Sequence, residues 1–136
     1  MRPQLNLVLS PAAKKIETWS IGLLLALWIV SVICIFSLPN IVPTHFNLSG
    51  QVDGCGSKEW FLLLPCITTI LFIGLKVLGR YPHKYNYLVT ITEKNALKEY
   101  TSATGMIRVV NLSAIILNLV LQLILLFATS TSEACI

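Results

Sequence analysis

The fold is decided by residues 19–38, WSIGLLLALWIVSVICIFSL, an apolar stretch without a charge or a proline. At a rise of about 1.5 Å per residue, about 20 helical residues cross a hydrocarbon core about 30 Å thick. The stretch therefore predicts a membrane-spanning helix over residues 16–38. Ser10 is a suitable N-cap and Pro11 suits the first helical position, so we expect this helix to begin before the membrane and to rise into it.

Two further apolar stretches predict spans over residues 60–79 and 107–129. The second span reaches full length only if Lys76 extends its ammonium group to the membrane interface, and Pro65 should bend it near its start. A re-entrant hairpin is the alternative for this segment. The predicted fold class is an all-α integral membrane protein with three transmembrane helices.

The composition supports a membrane protein and argues against a soluble one. Hydrophobic residues make up 55% of the 136 residues and charged residues only 12%, whereas soluble domains carry about 25% charge. The net charge of +4 does not predict a nucleic-acid partner, because the basic residues lie between apolar runs and not on one solvated face. We expect a single membrane domain over residues 1–136 whose main partner is the lipid bilayer.

The basic residues predict the orientation, since short cytoplasmic segments are enriched in Lys and Arg. Nine of the ten fall before the first span or from the end of the second span to the start of the third: Arg2, Lys14, Lys15, Lys76, Arg80, Lys84, Lys94, Lys98 and Arg108. Lys58 alone lies elsewhere. This distribution predicts a cytoplasmic N-terminus and a cytoplasmic loop over residues 80–106. The loop over residues 39–59 and the C-terminus should be extracytoplasmic.

The four cysteines form no C-x-x-C pair and predict no metal site. Cys34 and Cys66 lie within spans, where they should pack as small apolar side chains. Cys55 and Cys135 both fall on the predicted outer side. The topology therefore allows a disulfide between them, although the sequence alone sets no distance.

The outer loop, LPNIVPTHFNLSGQVDGCGSKEW, concentrates the candidate binding residues, which are His45, Asn47, Asp53, Ser57 and Lys58. His45-Phe46-Asn47 predicts a short extended piece that leads into a turn at Ser49-Gly50, and Ser57 is placed to cap the second helix. The loop should therefore be ordered.

Three interpretations of the outer loop stay open. His45, Asn47 and Asp53 are feasible metal ligands, but they lack the spacing of a strong zinc motif, so we expect no metal. The same three side chains could instead hold the loop together through hydrogen bonds. Residues 54–58 could also offer backbone N–H groups and the Lys58 cation at a helix N-terminus, where an anionic lipid or peptide ligand would be favoured.

The cytoplasmic loop predicts an amphipathic helix that lies at the membrane surface and feeds the third span. Thr92 is a suitable N-cap, and Gly105 could allow a bend. Residues at helical spacing form one apolar face: Ala96, Leu97, Tyr100, Ala103 and Ile107. The lysines of this helix could contact anionic headgroups, or the helix could be a solvated cap.

The third span carries a polar seam formed by Asn111, Asn118 and Gln122. At about 100° per residue these side chains stay within about 40° of one line. Amides are poorly tolerated against lipid, so the polar seam should face another helix of this chain or of a second copy. The alternative is a polar pathway for a small substrate or ion, which would use the same three amides.

Two segments of the chain resemble a family of small prokaryotic membrane proteins known as domain of unknown function 1648. In the outer loop the resemblance is carried by Leu38-Pro39, Ile41, Pro43, Thr44-His45-Phe46-Asn47, Gly50, Asp53 and Gly56-Ser57-Lys58. In the cytoplasmic segment it is carried by Tyr81-Pro82, Asn86, Ile91-Thr92, Asn95-Ala96, Tyr100 and Met106-Ile107. The family includes the N-terminal part of SdpI-type immunity proteins, which protect a cell against a secreted toxin and sequester a repressor at the membrane.

The resemblance implies a multi-pass protein of a prokaryotic cytoplasmic membrane with the outer loop as its site, and it implies no catalytic residues. We expect a non-enzymatic binding, sensing or immunity-type module without a cofactor. The alternative is a subunit of a homo-oligomeric small transporter or channel that uses the polar seam. In either case a second copy or a membrane partner protein could bind.

Overall fold

The computed structural model describes residues 2–131 and Cys135. Its elements, in chain order, are helix α1 (Pro11–Ser37), strand β1 (Ile41–Phe46), strand β2 (Val52–Ser57), helix α2 (Trp60–Leu78), a 3-10 turn (Pro82–Lys84) and helix α3 (Ala96–Thr131). All three α-helices are long and apolar enough to span a membrane. The predicted three-span, mostly helical fold is confirmed, with a small two-stranded sheet in addition.

Helix α1 begins at the N-cap that the sequence predicts, and α2 is a single helix. The Ser10 hydroxyl accepts a hydrogen bond from the Ala13 N–H at 3.2 Å, and Pro11 occupies the first turn, as expected for the start of α1. Helix α2 is continuous over 19 residues although it contains Pro65. At about 1.5 Å per residue it is about 28 Å long, so α2 crosses as a single helix and not as a re-entrant hairpin.

Helix α3 is longer than the predicted third span. It runs without interruption for 36 residues from Ala96, so the predicted amphipathic helix and the third span form one continuous helix through Gly105. Ala96 and Tyr100 of the predicted apolar face are fully buried in the protein, whereas Leu97 of the same face is 61% exposed. Burial of Ala96 and Tyr100 against the rest of the chain explains why the segment continues the span. At about 54 Å the helix extends well beyond a hydrocarbon core.

The predicted N-cap of this helix is wrong. The side chain of Asn95, and not that of Thr92, organises the turn before α3. Its Oδ1 accepts the Thr92 N–H at 2.7 Å, and its Nδ2 donates to the Thr90 carbonyl at 2.9 Å. An amide side chain can accept and donate at once, so Asn95 binds two backbone groups of the segment that precedes α3.

The three helices define two ends of the bundle. The hairpin end carries β1 and β2, the start of α2, the last turns of α3 and Cys135. The opposite end, here called the basic end, carries the start of α1, the α2–α3 connection and the start of α3. Nine of the ten Lys and Arg residues lie at the basic end. The charge asymmetry that predicted the orientation is therefore an asymmetry between the two ends of the folded bundle.

The core lies near the hairpin end, where Cys34 of α1, Val42 of β1 and Phe61 of α2 are buried against one another. Residues of α1, of its C-cap and of α3 pack around this cluster: Val30, Leu38, Leu125 and Leu126. The remaining helix surface exposes large apolar side chains such as Phe36 and Ile70. Such a surface is what three helices in a bilayer require, because lipid tails are as apolar as the side chains.

The two strands form an antiparallel hairpin, in which His45 pairs with Gly54 at an irregular register. A Cβ atom added at Gly54 would lie 2.9 Å from the His45 Cβ, so only glycine fits there. Gly50 in the turn has a φ of 77°, which also favours glycine. The expected extended piece and its turn are confirmed. Val42 anchors the hairpin in the core.

Candidate functional site

His45 and Asp53 form a hydrogen-bonded pair on the exposed face of the hairpin. The His45 Nδ1 lies 2.5 Å from the Asp53 Oδ1, across the two strands. The side chains are 73% and 42% exposed, respectively. The structure thus brings together two of the predicted site residues. Because the carboxylate contacts Nδ1, the Nε2 atom of His45 remains directed away from this contact.

Asn47 shapes the turn of the hairpin. Its Oδ1 accepts the N–H groups of Ser49 at 2.9 Å and Gln51 at 3.0 Å, and its Nδ2 donates to the Gln51 Oε1 at 3.3 Å. This is an Asx-type turn, in which the side chain replaces a backbone acceptor. The geometry agrees with the interpretation of Asn47 as a structural clamp.

Lys58 fastens the hairpin to the end of α1. Its Nζ donates to the Leu38 carbonyl at 3.2 Å, and its backbone N–H donates to the Asn40 carbonyl at 3.0 Å. A cation at a helix C-terminus is favoured by the helix dipole. Lys58 therefore has an intramolecular role at the position where the sequence suggested an anion site.

Ser57 does not cap α2, contrary to the prediction. It is the last residue of β2 and lies opposite Ile41, while α2 begins three residues later at Trp60. Glu59 occupies the N-cap position and makes no side-chain capping bond. Pairing in the sheet takes Ser57 away from the helix axis, which the sequence spacing could not reveal. Among the described residues, no group of three or more His, Cys, Asp or Glu side chains is placed to hold a metal ion.

A disulfide joins Cys55 of β2 to Cys135, which follows α3. The two Cα atoms are 5.9 Å apart, within the range that disulfides require. The bond ties the hairpin to the end of the third helix across 80 residues of sequence. Cys34 and Cys66 are free thiols within the helices. The disulfide that the topology allowed is thus present.

The polar seam of α3 faces the other two helices at Gln122. This side chain is 0% exposed, and its Nε2 donates to the Ser31 hydroxyl of α1 and to the Phe61 carbonyl of α2. The distance to the Phe61 carbonyl is 3.4 Å. Gln122 therefore connects all three helices through one amide group.

The other two amides of the polar seam make more local contacts. The Nδ2 of Asn111 donates to the Phe72 carbonyl of α2 at 3.3 Å, whereas that of Asn118 donates to Ala114 in its own helix at 2.9 Å. The carbonyl oxygens of Asn111 and Gln122 are buried and accept no hydrogen bond from the part of the chain that the structure describes. The polar seam is therefore largely a contact surface between helices, and it contains two buried carbonyl oxygens without a donor among the described residues.

A charged cluster at the basic end was not among the predicted site residues. Glu17 of α1 accepts a hydrogen bond from the Nε of Arg108 on α3 at 3.1 Å, and its other oxygen lies 3.8 Å from the Nζ of Lys76 on α2. The Arg108 side chain is only 17% exposed. Each of the three residues is an isolated charge at the edge of an apolar stretch, which is the signal that could have indicated them.

The cluster lines a cleft of about 440 Å³, here called the basic cleft, between the three helices and the N-terminal segment. Arg80 and Asn111 also line the basic cleft. Several hydrogen bonds hold the N-terminal segment over this end. The Arg2 guanidinium donates to the Tyr85 carbonyl at 2.5 Å, and the Tyr100 hydroxyl donates to the Pro3 carbonyl at 3.1 Å.

Two tyrosines beside the N-terminal segment have altered acidity. Burial raises the pKa of Tyr85 above the ordinary value, while the charge of Arg108 lowers it to a smaller extent. Burial also raises the pKa of Tyr87, and the neighbouring Tyr100 adds to that effect. The Tyr85 hydroxyl donates to the Leu78 carbonyl at 2.7 Å. The neutral form of each ring is therefore favoured in the folded protein.

Comparison with known proteins confirms the family resemblance for residues 22–69. The family model of the domain of unknown function DUF1648 matches residues 22–69, which extend from α1 through the hairpin into α2. An uncharacterized protein from Archaeoglobus fulgidus is 35% identical over 68 residues, an alignment that covers 44% of this chain and 37% of the relative. The chain thus spans well under half of that relative's length. No solved structure matches.

Proposed function

We propose that this protein is a non-enzymatic binding or sensing module. The premise is that residues 22–69 match the family model of the domain of unknown function DUF1648. The protein acts through the exposed His45–Asp53 pair on its hairpin. The hairpin end lies outside a prokaryotic cytoplasmic membrane and the basic end lies in the cytoplasm. Two observations support this orientation: the excess of Lys and Arg at the basic end, and the disulfide at the hairpin end, since disulfides persist in oxidising compartments.

The observation that carries the proposal is an exposed ionisable pair on a hairpin that is fixed from several sides. Val42 anchors β1 in the core, Asn47 closes the turn, Lys58 bonds the end of α1, and the Cys55 disulfide holds β2. The His45 and Asp53 side chains nevertheless remain in water. A backbone that is fixed from several sides and presents exposed polar side chains is typical of a recognition surface.

The chemistry of the pair favours a peptide ligand. Asp53 offers carboxylate oxygens as acceptors, and the Nε2 of His45 can donate or accept, depending on its protonation. Within the described residues the sheet consists of β1 and β2, and an extended peptide could add to it as a further strand. An immunity-type role would require the recognition of such an extracytoplasmic peptide.

The test is photo-crosslinking in cells of the native host, with a photoreactive amino acid at Gln51 beside the pair. We expect a crosslinked peptide or protein adduct that Asp53→Asn and His45→Ala each reduce strongly. Glu59→Gln is the matched control, because it removes one carboxylate at the same end without touching the pair. Adducts that survive both changes in the pair, or that fall equally with Glu59→Gln, would contradict the proposal.

A transport role for the polar seam is the second candidate. The observation in its favour is that the buried carbonyl oxygens of Asn111 and Gln122 accept no hydrogen bond within the described residues, so each could receive a donor from a polar solute. Ion and solute flux should then appear in vesicles that contain the purified protein. It should fall when Asn111 and Gln122 are each replaced by Leu. An absence of flux above that of empty vesicles would remove this candidate.

A further inference from the structure

We propose that the basic cleft binds the headgroup of an anionic phospholipid from the membrane leaflet at the basic end. This site is at the opposite end of the bundle from the hairpin and does not depend on the function proposed above. Three features of the cleft support this site: its charge, its apolar walls and its depth in the membrane.

The charge of the cleft is unbalanced. Three cations line it, Lys76, Arg80 and Arg108, and Glu17 is the acidic residue among the lining residues. Arg108 contacts Glu17 through Nε, which leaves the N–H donors on the two terminal nitrogens of its guanidinium for other acceptors. Lys76 lies 3.8 Å from Glu17, beyond ordinary hydrogen-bond length. A phosphate group would supply the missing negative charge.

The walls of the cleft suit the glycerol and acyl part of a lipid better than a soluble anion. Phe72 and Leu75 of α2, Ile107 of α3 and Leu7 of the N-terminal segment line it beside the charged groups. The volume of about 440 Å³ falls in the range of sites for small ligands, about 300–1,000 Å³. It accommodates a headgroup, while the acyl chains would continue along the lipid-facing side of α2, where Ile73 and Val77 are exposed.

The depth of the cleft is that of lipid headgroups. Trp19, two residues after Glu17 on α1, is largely exposed and marks a membrane interface, where tryptophan is enriched. Lys76 and Arg80 lie in the last turn of α2 and just beyond it. The cations therefore meet the bilayer at its polar boundary. Lys and Arg near helix ends contact anionic headgroups there.

The experiment is a titration of the full chain in neutral detergent micelles, with bound lipid counted by native mass spectrometry. Phosphatidylglycerol is compared with phosphatidylcholine of the same acyl chains, and with inorganic phosphate. We expect one phosphatidylglycerol to bind, and the double variant Lys76→Gln/Arg80→Gln to lower that affinity by about tenfold or more, because each basic residue near anionic lipid contributes about fivefold. Phosphatidylcholine should bind much more weakly.

The matched control is Lys14→Gln/Lys15→Gln, which removes the same charge from exposed residues at the same end, outside the cleft. It should change the affinity by less than about twofold. Equal losses in the two double variants, or equal binding of phosphatidylcholine, would overturn the proposal. So would competition by inorganic phosphate at concentrations similar to those of the lipid. If the cleft variant fails to fold, Arg80→Gln alone should still weaken binding, and no change would overturn the site.

Discussion

Gln122 on α3 donates its side-chain amide to the backbone carbonyl of Phe61 on α2, at 3.4 Å. In an uninterrupted helix that carbonyl would accept the N–H of the residue four positions later, which here is Pro65 and has no N–H. A carbonyl without a donor is costly inside a bilayer, where no water can replace the bond. A glutamine on a neighbouring helix thus compensates for a proline, and this accounts for one polar residue of the predicted seam.

The Gln122 contact predicts a coupling that a double-mutant cycle can measure. Gln122→Leu should destabilise the bundle by about 1–2 kcal/mol, since it removes a buried interhelical donor. In a Pro65→Ala background the loss should be smaller by about 0.5–1 kcal/mol, because residue 65 then donates to the Phe61 carbonyl itself. Unfolding in mixed micelles titrated with SDS gives the four stabilities.

Asn118→Leu is the control for this cycle, because the Asn118 amide bonds Ala114 within its own helix. Its effect should add to that of Pro65→Ala without coupling. A cycle in which Gln122→Leu costs the same in both backgrounds would show that the Phe61 contact contributes nothing.

The disulfide predicts that two cysteine-to-serine variants differ strongly in their stability. Cys55→Ser should lower the stability by about 2–4 kcal/mol, because the lost bond closes a long loop in the unfolded chain. Cys66→Ser removes a free thiol and should change the stability little. The protein should also show two alkylated cysteines after unfolding without reductant, and four after reduction. Four alkylated cysteines without reductant would contradict the bond.

The cluster of Glu17, Lys76 and Arg108 predicts that one carboxylate contributes to the stability of the basic end. Glu17→Gln should destabilise the protein by about 1–3 kcal/mol, since Arg108, which is mostly buried, would lose its charged partner. Glu93→Gln changes the same charge at an exposed position and should alter the stability by less than about 0.5 kcal/mol. Thermal unfolding in one detergent measures both. Equal effects of the two variants would argue against the cluster.

The raised pKa of Tyr85 predicts a loss of stability at alkaline pH. Burial raises this pKa above the unfolded value, which is about 10. The stabilisation is therefore fully present below about pH 10 and is lost as the pH rises through the folded pKa. A tyrosinate can no longer donate to the Leu78 carbonyl. The pH dependence of thermal unfolding between about pH 8 and pH 11 tests this sign.

Tyr85→Phe should remove much of the alkaline step, because it eliminates the ionising hydroxyl. Tyr81→Phe is the control, since the Tyr81 side chain is exposed at the same end. An alkaline step that is equally large in Tyr85→Phe would assign the effect to another group.

The proposed orientation predicts the result of reporter fusions. At a fusion point after Asn86, in the α2–α3 connection, a reporter that works only in the cytoplasm should be active, and one that works only after export should be inactive. At a fusion point after Cys135 the opposite result is expected, because three spans put the two positions on opposite sides of the membrane. A cytoplasmic reporter signal after Cys135 would overturn the orientation.

Much of the fold was predictable because a bilayer imposes local requirements on sequence. Residues 19–38 span because every residue there is uncharged, and the helix satisfies its own backbone hydrogen bonds. The length of α3 was not predictable in this way. Tyr100 and Ala96 are buried by packing against the rest of the chain, and that burial extends the helix beyond the limits that hydropathy sets.

The same distinction applies to the candidate site, where local sequence explains some contacts and strand pairing explains others. His45 and Asp53 are eight residues apart and lie on either side of a turn that Asn47 and Gly50 predict, so their proximity follows from local sequence. Ser57 was misassigned because the hairpin continues to that residue. Local turn chemistry thus located the hairpin pair, whereas the extent of strand pairing decided what the neighbouring residues do.

By itself the sequence determined the number of spans, the segregation of basic residues and the position of the hairpin turn, since each depends on residues close together in the chain. Only the tertiary structure decided that Glu17 meets Arg108 across 91 positions, that Gln122 faces Phe61, and that Cys55 reaches Cys135. These contacts depend on how each helix is rotated and how deep it lies against its neighbours. Hydropathy leaves both quantities undetermined, because lipid and protein neighbours are equally apolar.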